Sequence, residues 1–124
     1  MGVNPDPSKF SFHIGKGLDD SGSGSDTDIL DAVGSCKEAG AKVISMSIGC
    51  RNGCLFSEIY AGVLQNAYDA GILVIASAGN SGGDLISNPA QYSTVMSVAA
   101  VTSTRERWPS SSTNSNMAIA APGA

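Results

Sequence analysis

The sequence predicts an α/β domain built on a parallel sheet, because strand-like and helix-like segments alternate along its 124 residues. Two segments carry apolar residues at helical spacing, one between Ser25 and Gly40 and one over residues 57–70. The continuously apolar or small run over residues 72–78 is typical of a strand buried on both faces. With 42% hydrophobic and 15% charged residues, the chain can bury the core of one small domain.

The first third of the chain is predicted to contain a loop, a strand, a turn and a helix. Residues 1–9 are polar and contain prolines, and residues 10–18 form a predicted strand that two internal glycines weaken. The polar run 19–25 is typical of a turn. A capping box at Ser25–Asp28 then begins a helix, which Gly40 is placed to end.

The remainder is predicted to alternate between strands and one helix. The helix covers residues 57–70, and the strands cover residues 41–48, 72–78, 94–101 and 117–121. Small polar residues alternate along the strand 41–48, so one of its sides is expected to differ from the other. Because ligands bind parallel sheets at the carboxyl ends of the strands, the loops 48–50 and 79–81 are the candidate site.

Charge and hydropathy exclude two classes of partner. The net charge is −4 and lysines and arginines form no cluster, so the sequence has no electrostatic footprint for nucleic acid. No apolar run approaches the roughly 18 residues of a membrane span. The polar N-terminus also predicts no signal peptide within this chain.

The three cysteines Cys36, Cys50 and Cys54 leave at least one thiol unpaired or paired outside the chain. Cys50 and Cys54 are close enough in sequence to close a small disulfide loop, which would suit an oxidising compartment; free buried thiols are the alternative. With one histidine, His13, and no CxxC pair, a structural zinc site is not expected.

Two short motifs are more typical of ordinary loops than of catalytic or ligand-binding sites. Residues 79–83 fit G-x-S-x-G, but residues 84–89 are loop-like and His13 lies far upstream, so Ser81 is not predicted to be a nucleophile. The Gly-Ser run 22–25 precedes a helix but lacks a nucleotide-binding spacing. Three aspartates after it would repel an anion and do not alternate as calcium ligands do: Asp26, Asp28 and Asp31.

Four blocks in order along the chain resemble the middle of subtilisin-like serine peptidases, the subtilases (peptidase family S8). The resemblance covers about residues 12–123, and residues 16–18 with the following Gly-Ser loop match the strand and loop after that family's catalytic-histidine helix. The blocks are Ser45-Met-Ser-Ile-Gly49, Ala76-Ser-Ala-Gly-Asn80, Asn88-Pro-Ala-Gln-Tyr92 leading into residues 95–101, and Ala120-Ala-Pro-Gly123.

The resemblance implies a fold, a reaction and a set of site residues. The fold is a three-layer α/β sandwich, a parallel sheet with helices on both faces, of which this chain would be part. Asn80 would be the side-chain donor of the oxyanion hole in a serine endopeptidase. Ser47, Ile48 and Gly49 would pair with extended substrate and form one wall of its S1 pocket, and Ser77, Ala78 and Gly79 the opposite wall.

Three further positions follow from the same resemblance. Cys50 stands where the family often has a second glycine. Pro89 matches a position that is cis in many members. The carbonyls around Ala90, Tyr92 and Val95 match a weak cation site, so a structural calcium is an option in the parent, although the chemistry requires no cofactor.

The family's triad motifs are not matched by these residues. Its Asp and His motifs precede the matched region, and its Gly-Thr-Ser-Met-Ala motif follows Ala-Pro-Gly. We therefore expect residues 1–124 to be the central part of a secreted, extracellular peptidase domain, inactive and marginally stable alone, with peptides or proteins as substrate and the rest of the domain as partner. Two alternatives are a non-catalytic module that captures peptides by β-augmentation and a small nucleotide-binding α/β protein.

Overall fold

The structure, a computed structural model, describes residues 6–50 and 57–123 and divides into two units, Met1–Ala41 and Lys42–Ala124. The first unit contains a short 3-10 helix, Pro7–Lys9, and helix α1, Asp26–Glu38. The second contains helix α2, Glu58–Asp69, and four strands. The strands are β1 (Val43–Met46), β2 (Leu73–Ser77), β3 (Val95–Val101) and β4 (Ile119–Pro122).

Helix α1 begins and ends as the sequence predicts. The Ser25 side chain accepts a hydrogen bond from the Asp28 N–H, and the Asp28 carboxylate accepts bonds from the Ser25 N–H (3.1 Å) and hydroxyl (2.6 Å). This reciprocal capping box satisfies N–H groups that the first helical turn leaves without partners. At the other end, Gly40 adopts a φ of +79°, which a residue with a side chain would adopt only with strain.

The predicted strand over residues 10–18 is wrong, because these residues are irregular in the structure. They lie against α1, where a Cβ on Gly15 would be only 2.8 Å from the Ala32 carbonyl oxygen and one on Gly17 only 3.0 Å from the Ile29 Cα. A strand needs a neighbour with free N–H and C=O groups. The regular neighbour in this unit is a helix whose interior backbone groups already bond to one another, so apolar sequence alone makes no strand here.

The second unit contains the predicted parallel sheet, with strand order β1-β2-β3-β4. All three strand pairs are parallel, and β1 and β2 align Val43 with Leu73 and Met46 with Ala76. The four strands predicted in this unit are therefore confirmed, with bounds that differ by a few residues. Helix α2 is also confirmed, with Ser57 as its N-cap.

The core of this unit lies on one face of the sheet. Register places Ile44, Val74 and Val95 in one row across three strands, and Met46, Ala76 and Ser97 in another; all six are buried. Helix α2 packs on β2 and buries three side chains, Tyr60, Leu64 and Ala67. The alternation in β1 is confirmed, since its serine side faces away from this core.

The prediction that the run 72–78 is buried on both faces is wrong for this structure. Val74 and Ala76 are buried, whereas Leu73 is 41% exposed and Ser77 is exposed. Val43 on the adjacent strand is likewise 54% exposed. The structure describes one helix within this unit, and a single helix can cover only one face of a sheet.

The Asp28 cap predicts a local pH dependence. Bonds from the Ser25 hydroxyl and then the Ser25 N–H hold the pKa of Asp28 below its ordinary value. A carboxyl whose folded pKa is lowered stabilises the fold fully above its unfolded pKa, about 3.9. That contribution is lost as the pH falls through the lower folded pKa. We expect the Cα chemical shifts of the first turn of α1 to move away from helical values across this range.

Two variants separate this cap from the other carboxylates. Asp28→Asn keeps an acceptor oxygen without a titrating charge, so the first-turn shifts should change less between pH 6 and pH 2 than in the wild type, with Asp26 as the carboxylate left in that turn. Asp20→Asn is the control: Asp20 bonds to Lys16 in the preceding turn and takes no part in the cap. An unchanged pH profile in Asp28→Asn would contradict the assignment.

Candidate functional site

Two loops leave the sheet side by side at the carboxyl ends of β1 and β2. The register pairs Met46 with Ala76, so the residues that follow each strand emerge together. The Ser77 hydroxyl donates a hydrogen bond to the Ile48 carbonyl oxygen at 3.4 Å, which joins the two loops directly. The predicted meeting of these loops is confirmed. In parallel sheets this edge is where ligands bind.

The six predicted wall residues lie around this junction. Ser47 and Gly49 are exposed and Ile48 is half-buried on one side. On the other side Ser77 is exposed, while Ala78 is buried. The Ala78 N–H donates to the Val98 carbonyl oxygen at 2.9 Å and so continues the bonding of β2 to β3 beyond the last strand residue. The loop therefore starts from a fixed point.

Ser87 lies between two glycines, one from each loop. A Cβ on Gly49 would be 3.3 Å from the Ser87 Cβ, and a Cβ on Gly79 would overlap the Ser87 hydroxyl. The Ser87 N–H donates to the Ala78 carbonyl oxygen at 2.9 Å, which holds Ser87 in this place. Gly79 also has a φ of +105°. Both the close approach and the backbone conformation therefore require glycine at position 79.

Asn80 follows this glycine and is exposed. Its side-chain amide makes no hydrogen bond to any residue within 6–50 or 57–123. A primary amide carries two N–H donors and one acceptor oxygen. Asn80 therefore offers unused donors in the loop that follows β2.

A segment from a distant part of the sequence holds the loop that carries Asn80. Arg107 donates from one guanidinium nitrogen (Nη1) to the carbonyl oxygens of Gly82 and Ser111, both at 2.9 Å. Further bonds join Gly82 to Ser110, Gly83 to Thr113, Asp84 to the Asn114 side chain, and Gly79 and Ser81 to Ser112. Sequence reasoning missed this support. The one signal in the sequence was the run of Ser, Thr and Asn over residues 110–116. Side chains of these types hydrogen-bond readily to backbone groups, so such a run is typical of a segment that makes these bonds.

Ser81 lies in an irregular loop, not at a strand-to-helix elbow. Its hydroxyl is 2.8 Å from the Ser112 hydroxyl and donates to the Leu85 carbonyl oxygen at 3.2 Å. No helix follows before Pro89. The interpretation that the G-x-S-x-G pattern is not a nucleophile elbow is confirmed.

The turn before β3 is bonded to the start of α2. The Asn88–Pro89 peptide is cis, as the resemblance implied. The Tyr92 hydroxyl accepts from the Ser57 N–H at 3.0 Å and donates to the Ser57 carbonyl oxygen at 3.2 Å. Its ring stacks on Tyr60 with a centroid distance of 5.8 Å. The helix that covers the core is thereby joined to the segment that leads into the third strand.

The cysteines differ in state. Cys50, directly after Gly49, is disulfide-bonded, whereas Cys36 is a free thiol. The prediction of at least one unpaired thiol is therefore confirmed. The predicted disulfide between Cys50 and Cys54 stays a prediction, because Cys54 lies outside the residues that the structure describes.

The first unit contains the one described histidine, within a shallow groove of about 310 Å³. The His13 Nε2 atom is 2.9 Å from the Ser35 hydroxyl oxygen, and both side chains are exposed. The groove residues are His13, Ile14, Gly15, Lys16, Asp28, Asp31, Ala32 and Ser35. Ser35 lies in the interior of α1, where backbone N–H groups are bonded along the helix, so the helix backbone beside the pair offers no free N–H donor for an oxyanion.

Among 6–50 and 57–123, no three His, Cys, Asp or Glu side chains lie close enough together to hold a metal ion. No helix in those ranges is both long enough and apolar enough to cross a membrane.

Comparison with known proteins gives a consistent result across sequence and structure. The sequence model of the subtilase family matches residues 8–124. Subtilisin DY of Bacillus licheniformis is 35% identical over 127 aligned residues, which cover 99% of this chain and 44% of that protein. Thermitase of Thermoactinomyces vulgaris is 34% identical over 106 residues, covering 86% of this chain and 37% of thermitase.

Solved structures agree with the fold. The psychrophilic subtilisin-like protease Apa1 of Pseudoalteromonas sp. AS-11 matches with a TM-score of 0.77 and 35% identity over 87% of this chain and 24% of Apa1. A lanthipeptide protease matches with a TM-score of 0.80 at 24% identity, over 88% of this chain and 37% of that one. The chain thus spans less than half the length of these relatives.

The packing at Gly79 predicts a measurable loss of stability. Gly79→Ala would place a methyl group against the Ser87 hydroxyl and strain a φ of +105°. We expect the free energy of unfolding to fall by about 1–3 kcal/mol, as for other residues forced into this backbone region. Urea unfolding of the chain measures this loss.

Gly83→Ala is the matched control in the same loop. A Cβ there would meet no atom within 4 Å. It should leave the urea midpoint nearly unchanged. If both alanine variants shifted the midpoint equally, the close approach at Gly79 would not be the cause.

Proposed function

The chain belongs to the subtilase family, and on that premise we propose that it forms the oxyanion-binding and substrate-binding middle of a serine endopeptidase. The observation that carries the proposal is Asn80. Its amide is exposed, makes no bond to another described residue, and follows a strand end that is bonded on both sides. Such an amide is a suitable donor for charge that forms only during a reaction.

Asn80 would act at the step in which a serine oxygen attacks the scissile carbonyl carbon. That attack converts the carbonyl oxygen into an oxyanion, and later collapse of the tetrahedral intermediate releases the amine and leaves an acyl-enzyme. A donor held in place before the reaction stabilises the oxyanion without reorganising. The loop bonds from residues 107–114 supply that preorganisation.

The substrate peptide would lie between the two loops. Ser47, Ile48 and Gly49 would offer backbone groups to an extended peptide, and the absence of a side chain at Gly49 leaves room for the close approach of Ser87. Ser77, Ala78 and Gly79 would form the opposite wall of the pocket for one substrate side chain. Ser87 lies against both Gly49 and Gly79, so we infer that it would form the floor of the pocket between the two walls.

The catalytic triad would come from other parts of the peptidase domain. The only histidine here, His13, is bonded to Ser35, and none of the serines stands in a Gly-Thr-Ser-Met-Ala motif. Residues 1–124 would then be the central part of the domain, with the remainder as partner and peptides or proteins as substrate. The parent would be extracellular. The acyl-enzyme route requires no cofactor, and calcium would have a structural role only.

A second candidate function is peptide binding without cleavage. The observation that favours it is that the segments 47–49 and 77–79 are joined side by side by the Ser77–Ile48 hydrogen bond. An extended peptide would add its backbone to the exposed segment 47–49. Binding without hydrolysis by the full-length polypeptide would favour this reading.

We expect the 124-residue chain alone to hydrolyse no peptide. In the described Ser–His pair, His13 with Ser35, the backbone N–H groups beside the serine are already bonded within α1. A chromogenic peptide substrate and the purified chain give the measurement, with His13→Ala as the control for adventitious hydrolysis. Hydrolysis that is lost in Asn80→Ala would overturn this expectation; hydrolysis equal in all variants would indicate a contaminant.

In the full-length polypeptide, Asn80→Ala should lower kcat by about 10²–10³ and leave KM nearly unchanged. The magnitude is the one known for loss of this donor in subtilisin, and it is carried over from that relative. The reason is that the oxyanion exists only in the transition state and intermediate. Steady-state kinetics on a peptide substrate measure both constants.

Asn66→Ala is the matched control, since Asn66 is an exposed asparagine on α2. It should leave kcat within about twofold of wild type, as expected for a surface substitution. An unchanged kcat in Asn80→Ala would refute the oxyanion role.

A further inference from the structure

We propose that Ser112 is the positioning residue for Asn80, a role that rests on the proposed function of Asn80. Ser112 lies 32 residues further along the chain, in the segment between β3 and β4. It bonds to the residue on each side of Asn80. Asn80 itself supplies none of these bonds.

The two bonds determine the backbone conformation of Asn80. The Ser112 N–H donates to the Gly79 carbonyl oxygen at 3.0 Å, and the Ser112 hydroxyl oxygen accepts from the Ser81 N–H at 3.1 Å. The first group belongs to the peptide plane before the Asn80 Cα and the second to the plane after it. Because a peptide unit is planar, holding both planes fixes φ and ψ of Asn80.

The burial of Ser112 makes its two hydrogen bonds to the Asn80 loop hard to replace. The Ser112 side chain is 0% exposed, so water cannot replace a lost partner. Its hydroxyl has a second contact in the same loop, 2.8 Å from the Ser81 hydroxyl oxygen. Both hydrogen bonds of this buried hydroxyl are therefore made with Ser81, the residue next to Asn80. A serine whose only role was to fill space would not need these bonds.

The preceding serine provides a contrast within the same segment. Ser111 is also buried, at 2% exposure, but its hydroxyl accepts from the Ala100 N–H at 2.9 Å and donates to the Ser112 carbonyl oxygen at 3.3 Å. Its hydroxyl therefore joins the segment to β3. The two serines have the same size and burial, and only the Ser112 hydroxyl contacts the Asn80 loop.

Loss of the Ser112 hydroxyl should therefore affect Asn80 through its orientation. Without the bond to Ser81, the second peptide plane is free to rotate, and the Asn80 amide is no longer held toward one point. Misplacement of a catalytic group by about 1 Å can cost up to about 10²-fold in rate. One of the two bonds remains in Ser112→Ala, so we expect about a tenfold fall in kcat with KM within about twofold.

The experiment places Ser112→Ala and Ser111→Ala in the full-length polypeptide, each with Asn80 intact and in the Asn80→Ala background. We expect Ser112→Ala to lower kcat only where Asn80 is present, because the residue acts through Asn80. Any fall in kcat in Ser111→Ala should be the same in both backgrounds, because the Ser111 hydroxyl bonds to β3 and to the Ser112 carbonyl oxygen and not to a residue beside Asn80. An equal fall caused by Ser112→Ala in both backgrounds would overturn the proposal, as would a fall in Ser111→Ala that occurs only where Asn80 is present.

A second readout uses the full-length polypeptide and needs no activity. Amide hydrogen exchange of Ser81 should quicken at least tenfold in Ser112→Ala and stay near wild type in Ser111→Ala, since exchange follows the opening of each bond. Ser112→Thr, which keeps the hydroxyl, should restore slow exchange and covers the case in which the alanine variant does not fold. Unchanged amide exchange of Ser81 in Ser112→Ala would overturn the proposed positioning role of Ser112. If the full-length polypeptide were inactive, the proposed function would fail. The exchange data alone would then decide whether Ser112 holds the backbone on both sides of Asn80.

Discussion

The in-register parallel pairing of β1 with β2 is the constraint on which the candidate site depends. It aligns Met46 with Ala76, so the two following loops must leave the sheet next to each other. The Ser77 bond to Ile48 then joins them. A shift of one residue would turn the buried alternation Val74, Ala76 to the opposite face. The core under α2 therefore sets the register, and the register sets the distance between the loops.

The loop that carries Asn80 is held mainly by polar contacts, in contrast to the apolar core beneath it. Glycine at position 79 allows the backbone to turn with a φ of +105° against Ser87. Arg107 and Ser112 then bond to backbone groups of the loop and leave the Asn80 amide unused. Every buried side-chain polar atom of the described residues has a partner. Within this network the bonds of Ser112 matter most, because Ser112 is fully buried and a lost partner would leave a buried group unsatisfied.

The sequence predicted most of the elements but not all of their surroundings. Capping at Ser25 and the stop at Gly40 are local effects, and both are confirmed. The strands of the second unit were recognisable from short apolar runs. The strand expected over residues 10–18 is absent, because a strand also needs a neighbour with free backbone groups and these residues lie against α1. Exposure of Leu73 was missed for a related reason, since burial depends on what covers a face and not on the strand itself.

The order of helix and strands in the second unit, the family, and the two segments that meet at the strand ends could all be predicted from the sequence. Those properties follow from local patterns and from motifs read in order. The position of Ser87 between Gly49 and Gly79, and the bonds of Ser112 on both sides of Asn80, depend on the tertiary structure. Apart from the contact between Ser87 and Gly79, these contacts join residues about 30 or more positions apart in sequence, and no local periodicity encodes such a pairing. They arise when parallel strands bring distant loops to one edge of the sheet.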